Sequence, residues 1–131
     1  MPPPEEQGLN PPVRFRAMMF ARSEAIKRRV NVTVAQRDTD PPTGTFDWKN
    51  GWTVVATGVA APLRTQDSLS GVTFSGATSV VYRLDGRLTV GTPVAILIQP
   101  QIADSSIQNR CLRVDPTGLP KTTNISTTTC P

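Results

Sequence analysis

The sequence contains no histidine, only two cysteines and one tyrosine, and just 5% aromatic residues among its 131 positions. Without histidine there is no imidazole for acid–base work near neutrality, no His-based triad and no His-containing zinc site. Two thiolates fall short of the four an all-cysteine zinc site needs. The longest apolar stretch, around Val94–Ile98, is far too short to span a bilayer, and no apolar signal-peptide core follows the first methionine. A phosphate loop, a dinucleotide fingerprint and a Gly-x-Ser-x-Gly elbow are also missing. These gaps argue against an enzyme, and neither a cofactor nor a metal is expected.

Proline and glycine are plentiful, at 13 and 9 residues. With so many turn formers, the chain suits many short elements better than a bundle of long helices, and its length suits one domain. The net charge is +4, and Glu5 and Glu6 both lie in the first twelve residues, so the remainder is more basic still. Such a surplus favours polyanions such as nucleic acid or acidic lipid, and equally serves plain solubility.

Residues 1–12 carry five prolines and read as an extended, flexible tail ahead of a globular domain at 13–131. A helix is expected from about Val13 to Arg29. At 100° per residue Phe15, Met18, Met19, Ile26 and Val30 form one stripe with Ala25 at its edge, while Arg22 and Arg29 intrude and Phe20 falls outside. Glu24 stands three and four residues before Lys27 and Arg28, a favourable spacing for ion pairs on an outer face.

After Arg29 the period changes to two. Strands are expected at Asn31–Gln36, Trp52–Thr57, Gly71–Phe74, Ser79–Leu84, Arg87–Val90, Val94–Gln99 and Arg110–Val114, with Arg37–Asn50 mostly loop. Asp85-Gly86 between two of these runs signals a hairpin with a type I′ turn. One helix followed by about seven short strands gives an α+β fold, the helix laid on antiparallel sheet. Asp38-Thr39-Asp40 reads as a turn cap, because an oxygen-cage cation loop needs further ligands at set spacing. Trp48 and Trp52 read as core or sheet-covering residues rather than a ligand platform, with Gly51 between them allowing a bulge.

Cys111 and Cys130 enclose eighteen residues that include Pro116, Gly118, Pro120 and a polar run at 122–129. The choice is between two buried thiols and one disulfide. A stretch so poor in apolar surface favours the disulfide, which stabilises such a loop by about 3 kcal/mol and implies an oxidising compartment.

Three stretches resemble one family. Phe20-Ala-Arg-Ser-Glu-Ala-Ile-Lys-Arg28, Trp48-Lys-Asn-Gly-Trp52 and Asn109-Arg-Cys-Leu-Arg-Val-Asp-Pro-Thr-Gly118, with Cys130 behind the last, are similar to the helix end, strand entry and C-terminal turn of the FimT/GspH family of minor type IV pilins and type II secretion pseudopilins. The resemblance implies a pilin-like domain with one N-terminal helix on antiparallel sheets. It also implies a subunit anchored in the bacterial inner membrane, with its domain in the periplasm and later in a pilus or pseudopilus. Members begin with a long apolar helix; here a proline-rich tail stands in its place, so the chain reads as a soluble domain.

The implied function is that of a FimT-like minor pilin, a priming or tip subunit of a type IV pilus. The alternative is a GspH-like pseudopilin of type II secretion. The implied partners are other minor pilins or pseudopilins and, for FimT-type members, DNA bound during uptake through a Gly-Arg-x-Arg loop. In that loop Gly118 matches the glycine, Leu119 stands where the first arginine belongs, and Lys121 takes the second arginine's place. With Arg110 and Arg113 nearby, Gly118 and Lys121 form the candidate site for non-sequence-specific DNA binding. Losing the first arginine removes a planar bidentate phosphate donor, and lysine supplies only a point charge.

Overall fold

The computed structural model describes residues 11–102 and 108–130. Among the described residues one helix, α1 (Pro11–Arg28), precedes eight strands: β1 (Val32–Asp38), β2 (Phe46–Ala56), β3 (Arg64–Gln66), β4 (Val72–Gly76), β5 (Ser79–Tyr82), β6 (Val94–Pro100), β7 (Asn109–Val114) and β8 (Pro120–Ile125). The strands form two four-stranded antiparallel sheets, ordered β3-β2-β1-β5 and β4-β6-β7-β8. The fold is α+β, as expected, with α1 packed on β1, β2 and β5 of the first sheet and on β8 of the second.

The helix starts two residues inside the stretch assigned to the tail. Pro11 and Pro12 occupy its first turn, where a backbone N–H would have no intrahelical acceptor and proline's fixed φ is already helical. The rest of the tail, residues 1–10, lies outside the described residues. At the other end Lys27 and Arg28 suit the negative pole of the helix dipole, and Arg29 turns left-handed at φ 56° to stop the helix.

The buried face of α1 differs from the expected stripe. Ala17, Met18, Ala21 and Ala25 are buried, whereas Met19 and Ile26 are exposed, and Phe15's side chain is not among those described. Three alanines let the helix backbone approach the sheets closely, a gain that counting large apolar side chains does not register. Phe20, outside the expected stripe, packs partly on the core beneath the Arg64 guanidinium, 3.8 Å from its ring centroid. Glu24 is buried rather than outward-facing, and it binds Lys27 at 3.1 Å and Arg28 at 3.2 Å. Hydrogen bonds from Lys27 and then Arg28 hold its carboxyl below the ordinary range.

One apolar core joins the helix to both sheets. Val32, Val34, Val54, Val80 and Tyr82 come from the first sheet, and Val72, Ile96, Ile98, Leu112 and Val114 from the second. Trp48 and Trp52 are buried in the same core, edge to face with centroids 6.2 Å apart, and Trp48 Nε1 donates to the Ala77 carbonyl at 2.7 Å. Between them β2 bulges: Gln36 pairs with Trp52 but Arg37 with Asp47. Gly51 makes this possible, at φ 93° and against the Gln66 carbonyl with no room for a Cβ.

Several strand expectations need correction. Arg87–Val90 is no strand; it keeps one bridge, Tyr82 to Leu88. The 37–50 loop shrinks to 39–45, because β1 runs on to Asp38 and β2 starts at Phe46. β3 and β8 were not expected. β8 has only Pro120 buried and is polar from Lys121 to Asn124, so it carries no apolar alternation; as an edge strand it needs none.

Candidate functional site

The β7–β8 turn, where the candidate DNA residues lie, is built like the turn that follows β5. In each, the first residue's N–H donates to the fifth residue's carbonyl, and glycine in fourth place donates back to the first: Arg83, Gly86 and Arg87 in one, Asp115, Gly118 and Leu119 in the other. Gly86 has φ 84° and Gly118 has φ 92°. These are three-residue loops with a left-handed glycine rather than the two-residue type I′ turn expected at Asp85-Gly86. Asp85 keeps a negative φ, which the primed turn would not allow.

The two turns meet. A Cβ on Gly118 would collide with the Gly86 carbonyl oxygen, which also accepts from Arg22 Nε at 3.1 Å. Leu88 N–H donates to the Pro116 carbonyl at 3.0 Å beside this contact. Arg22, which interrupted the apolar stripe, is thus the donor that ties α1 to the first turn at the point where it meets the second. Beneath it Tyr82 is fully buried; burial pushes its hydroxyl pKa up, while Arg22's charge pulls the other way. Gly118 therefore has a packing role at a junction. The signal in the sequence was the matched spacing of Gly86 and Gly118, each three residues after a turn opens.

Of the candidate DNA residues, the structure brings two together. Arg113 and Lys121 are cross-strand partners on the face of the second sheet away from the core, with Arg113 Nε 3.6 Å from Asp115. Arg110, three residues before Arg113, faces the other side, where Nη1 donates to Asn124 Oδ1 at 2.7 Å. Leu119 is half-exposed. Cys111, on the Arg113 face, is bonded to Cys130 with Cα atoms 5.5 Å apart, and opposite it on β6 the apolar Leu97 is buried.

At the opposite end of the first sheet Asp38 caps the 39–45 loop. Its Oδ1 accepts from the N–H of Thr39 at 2.7 Å and Thr43 at 3.3 Å, and its Oδ2 from Gly44 at 3.0 Å. The turn-cap reading fits, and no cluster of three or more metal-binding side chains occurs among the described residues. Partial burial opposes ionisation here, but backbone donors from Gly44, Thr39, Thr43 and Thr45 outweigh it and lower the pKa. A lowered folded value means that this loop's stabilisation is present above the unfolded value, about pH 4, and is lost as pH falls through the folded value. In an NMR titration Asp38 should show a midpoint below that of an unfolded-chain aspartate, with the Thr39 and Gly44 amides following it. A midpoint at or above that value would refute the cap.

Arg37, Asp38, Asp40, Asn50, Asp67 and Ser68 line an open cleft of about 390 Å3 at this end. Arg37 Nη1 crosses it to the Gln66 carbonyl at 3.0 Å. No helix among the described residues is long and apolar enough to cross a membrane.

The sequence profile of the family described as Type II transport protein GspH matches residues 15–118. Among solved structures, the type IV minor pilin FimU of Pseudomonas aeruginosa superposes with a TM-score of 0.66 at 22% identity, covering 88% of this chain and 87% of that one. The minor pseudopilin EpsH from the Type 2 Secretion System of Vibrio cholerae gives 0.61 at 12% identity, covering 88% and 94%. No curated protein sequence matches significantly. At these identities the structural likenesses speak for the fold.

Proposed function

Because the chain belongs to the GspH family of minor pilins and pseudopilins, we propose that it is a FimT-like minor subunit of a type IV pilus, acting in the priming or at the tip of the filament. The observation that carries this reading is the pilin architecture, one helix lying across two antiparallel sheets, together with its likeness to a minor pilin. The Cys111–Cys130 bond fits a periplasmic and then extracellular life. On this reading the protein works through its surfaces, as a structural subunit rather than an enzyme. Deleting its gene tests the reading. Loss of surface pili with protein secretion intact is the expected result, restored by re-expression. Loss of secretion with pili intact would instead assign it to the type II secretion pseudopilus.

Weak, sequence-independent binding of duplex DNA is a second reading, favoured by one observation: Arg113 and Lys121 stand side by side on an outer sheet face. Two phosphate contacts give a log–log salt slope of about −1.8. Lys121→Ala should weaken binding and flatten that slope by about one unit, while Lys49→Ala on the first sheet should change neither. Fluorescence anisotropy at several salt concentrations reads both. An equal effect from Lys49→Ala would make the attraction diffuse.

A further inference from the structure

Three large aliphatic side chains are exposed where α1 stops and the two turns meet: Ile26, Leu84 and Leu119, at 43%, 51% and 50%. The turn contact holds them together. Ile26 lies against Gly86, the Gly86 carbonyl lies against Gly118, and Leu84 and Leu119 flank the two glycines in sequence. The charges around them have both signs, and the cations prevail. Lys27 and Arg28 share Glu24, Arg83 lies 3.7 Å from Asp85, and Arg113 lies 3.6 Å from Asp115. Arg29, Arg87 and Lys121 are exposed and have no ion-pair partner among the described residues, so this end keeps a positive surplus after every local carboxylate is counted. The far end of the first sheet has no such bias. There Arg37 lies 3.8 Å from Asp67, beside Asp38 and Asp40.

An aliphatic spot with a cationic surplus complements a surface that is anionic outside and apolar within. Duplex DNA supplies the phosphates but no apolar phase for Ile26, Leu84 and Leu119. A bilayer containing anionic lipid supplies both: aliphatic side chains enter the boundary between headgroups and acyl chains, and arginines stay at the phosphates. We propose that the junction end is a docking surface for an anionic phospholipid bilayer. Ile26, Leu84 and Leu119 enter the headgroup boundary, and Arg29 and Arg87 bind lipid phosphates. Guanidinium suits that place, being weakly hydrated and able to offer two donors to one phosphate. Asp85 and Asp115 are repelled by the same lipids, and three aliphatic chains are a shallow hold, so the binding is peripheral and reversible. The contact depends neither on the filament reading nor on the DNA reading; it gives the folded domain a hold on lipid of its own.

The test is cosedimentation of the whole chain with sucrose-loaded vesicles, made of phosphatidylcholine alone or of an equal mixture with phosphatidylglycerol. At low ionic strength the unmodified chain should pellet with the mixed vesicles and stay in solution with the neutral ones. The partition coefficient should fall several-fold at physiological ionic strength. Arg29→Gln with Arg87→Gln should weaken binding about 25-fold, at about fivefold for each charge beside an anionic surface. Leu84→Ser with Leu119→Ser keeps every charge and should weaken it about tenfold. Phe46→Ser with Lys49→Gln, at the far end, should bind as the unmodified chain does. Unchanged urea midpoints check that the variants fold. Fluorescence anisotropy with duplex DNA on the same leucine pair separates the two readings: lipid binding should fall while any DNA binding is unaltered. No binding to the mixed vesicles at low ionic strength, or equal binding to neutral ones, would overturn the proposal. So would a far-end variant that weakens as much as the arginine pair. A leucine pair that binds lipid undiminished would overturn it too, and would make the surplus charge a diffuse attraction for any polyanion, DNA included.

Discussion

Gly118→Ala should cost the domain about 3–5 kcal/mol, the sum of a left-handed backbone forced on a Cβ and an overpacked contact. At φ 92° the backbone itself resists a side chain, and the atom in the way is the Gly86 carbonyl oxygen, held by Arg22 and unable to retreat without breaking that bond. For a domain stable by about 5–15 kcal/mol, this is a large share. It would read as a lowered urea midpoint with an unchanged slope. Two controls bracket it. Gly91→Ala, in open space with an ordinary φ, should be neutral or slightly stabilising, and Gly44→Ala, at φ 82° in open space, should show the backbone cost alone. An unaltered midpoint for Gly118→Ala would return Gly118 to a purely ligand-binding role.

Reduction of the Cys111–Cys130 bond should cost about 3 kcal/mol by the loop-closure argument, for a sequence separation of 19. Packing cannot take over. Most side chains between Thr122 and Thr129 are exposed, and β8 is an edge strand paired only with β7. Urea unfolding with and without reductant measures the loss. The Cys130→Ala variant should match the reduced protein, whereas Cys111→Ser should be worse than either, since it also leaves a hydroxyl in the buried position beside Leu97. Hydrogen exchange should accelerate first in β8. A midpoint indifferent to reductant would mean that the 126–130 tail adds nothing to the fold.

The helix, its change to period two at Asn31, six of the strands and the cysteine pair could all be read from residue order. Each has a local cause: apolar period, β-branched runs, or a polar loop too poor in apolar surface to pack unaided. The readings that failed depend on neighbours distant in sequence. Helix α1 buries Ala17, Ala21 and Ala25 because two sheets approach it at once, and nothing within residues 13–29 announces the second sheet. The polar run at 120–125 is a strand because β7 offers it a free edge. Arg87–Val90 has strand composition but no full ladder, since Leu88 bonds the Pro116 carbonyl instead. For the candidate site, nearness in sequence misled. Arg110 and Arg113 are three residues apart, an odd separation that sends them to opposite faces, while Arg113 and Lys121 meet across the hairpin. The junction residues Arg22 and Gly86 lie 64 positions apart, and only the fold brings them together.

That junction also decides how the subunit bears load. A helix resting on one sheet, pulled along its axis, transmits the force to a single ladder, which can open one hydrogen bond at a time. Here α1 rests on strands of both sheets, and Arg22 pins it at the point where a hairpin of each sheet touches the other. A tug on the helix is therefore shared between two ladders in parallel, one of them covalently closed at Cys111 and Cys130. Removing the Arg22 guanidinium would take away the hydrogen bond from α1 to this junction and leave the helix held on both sheets by packing.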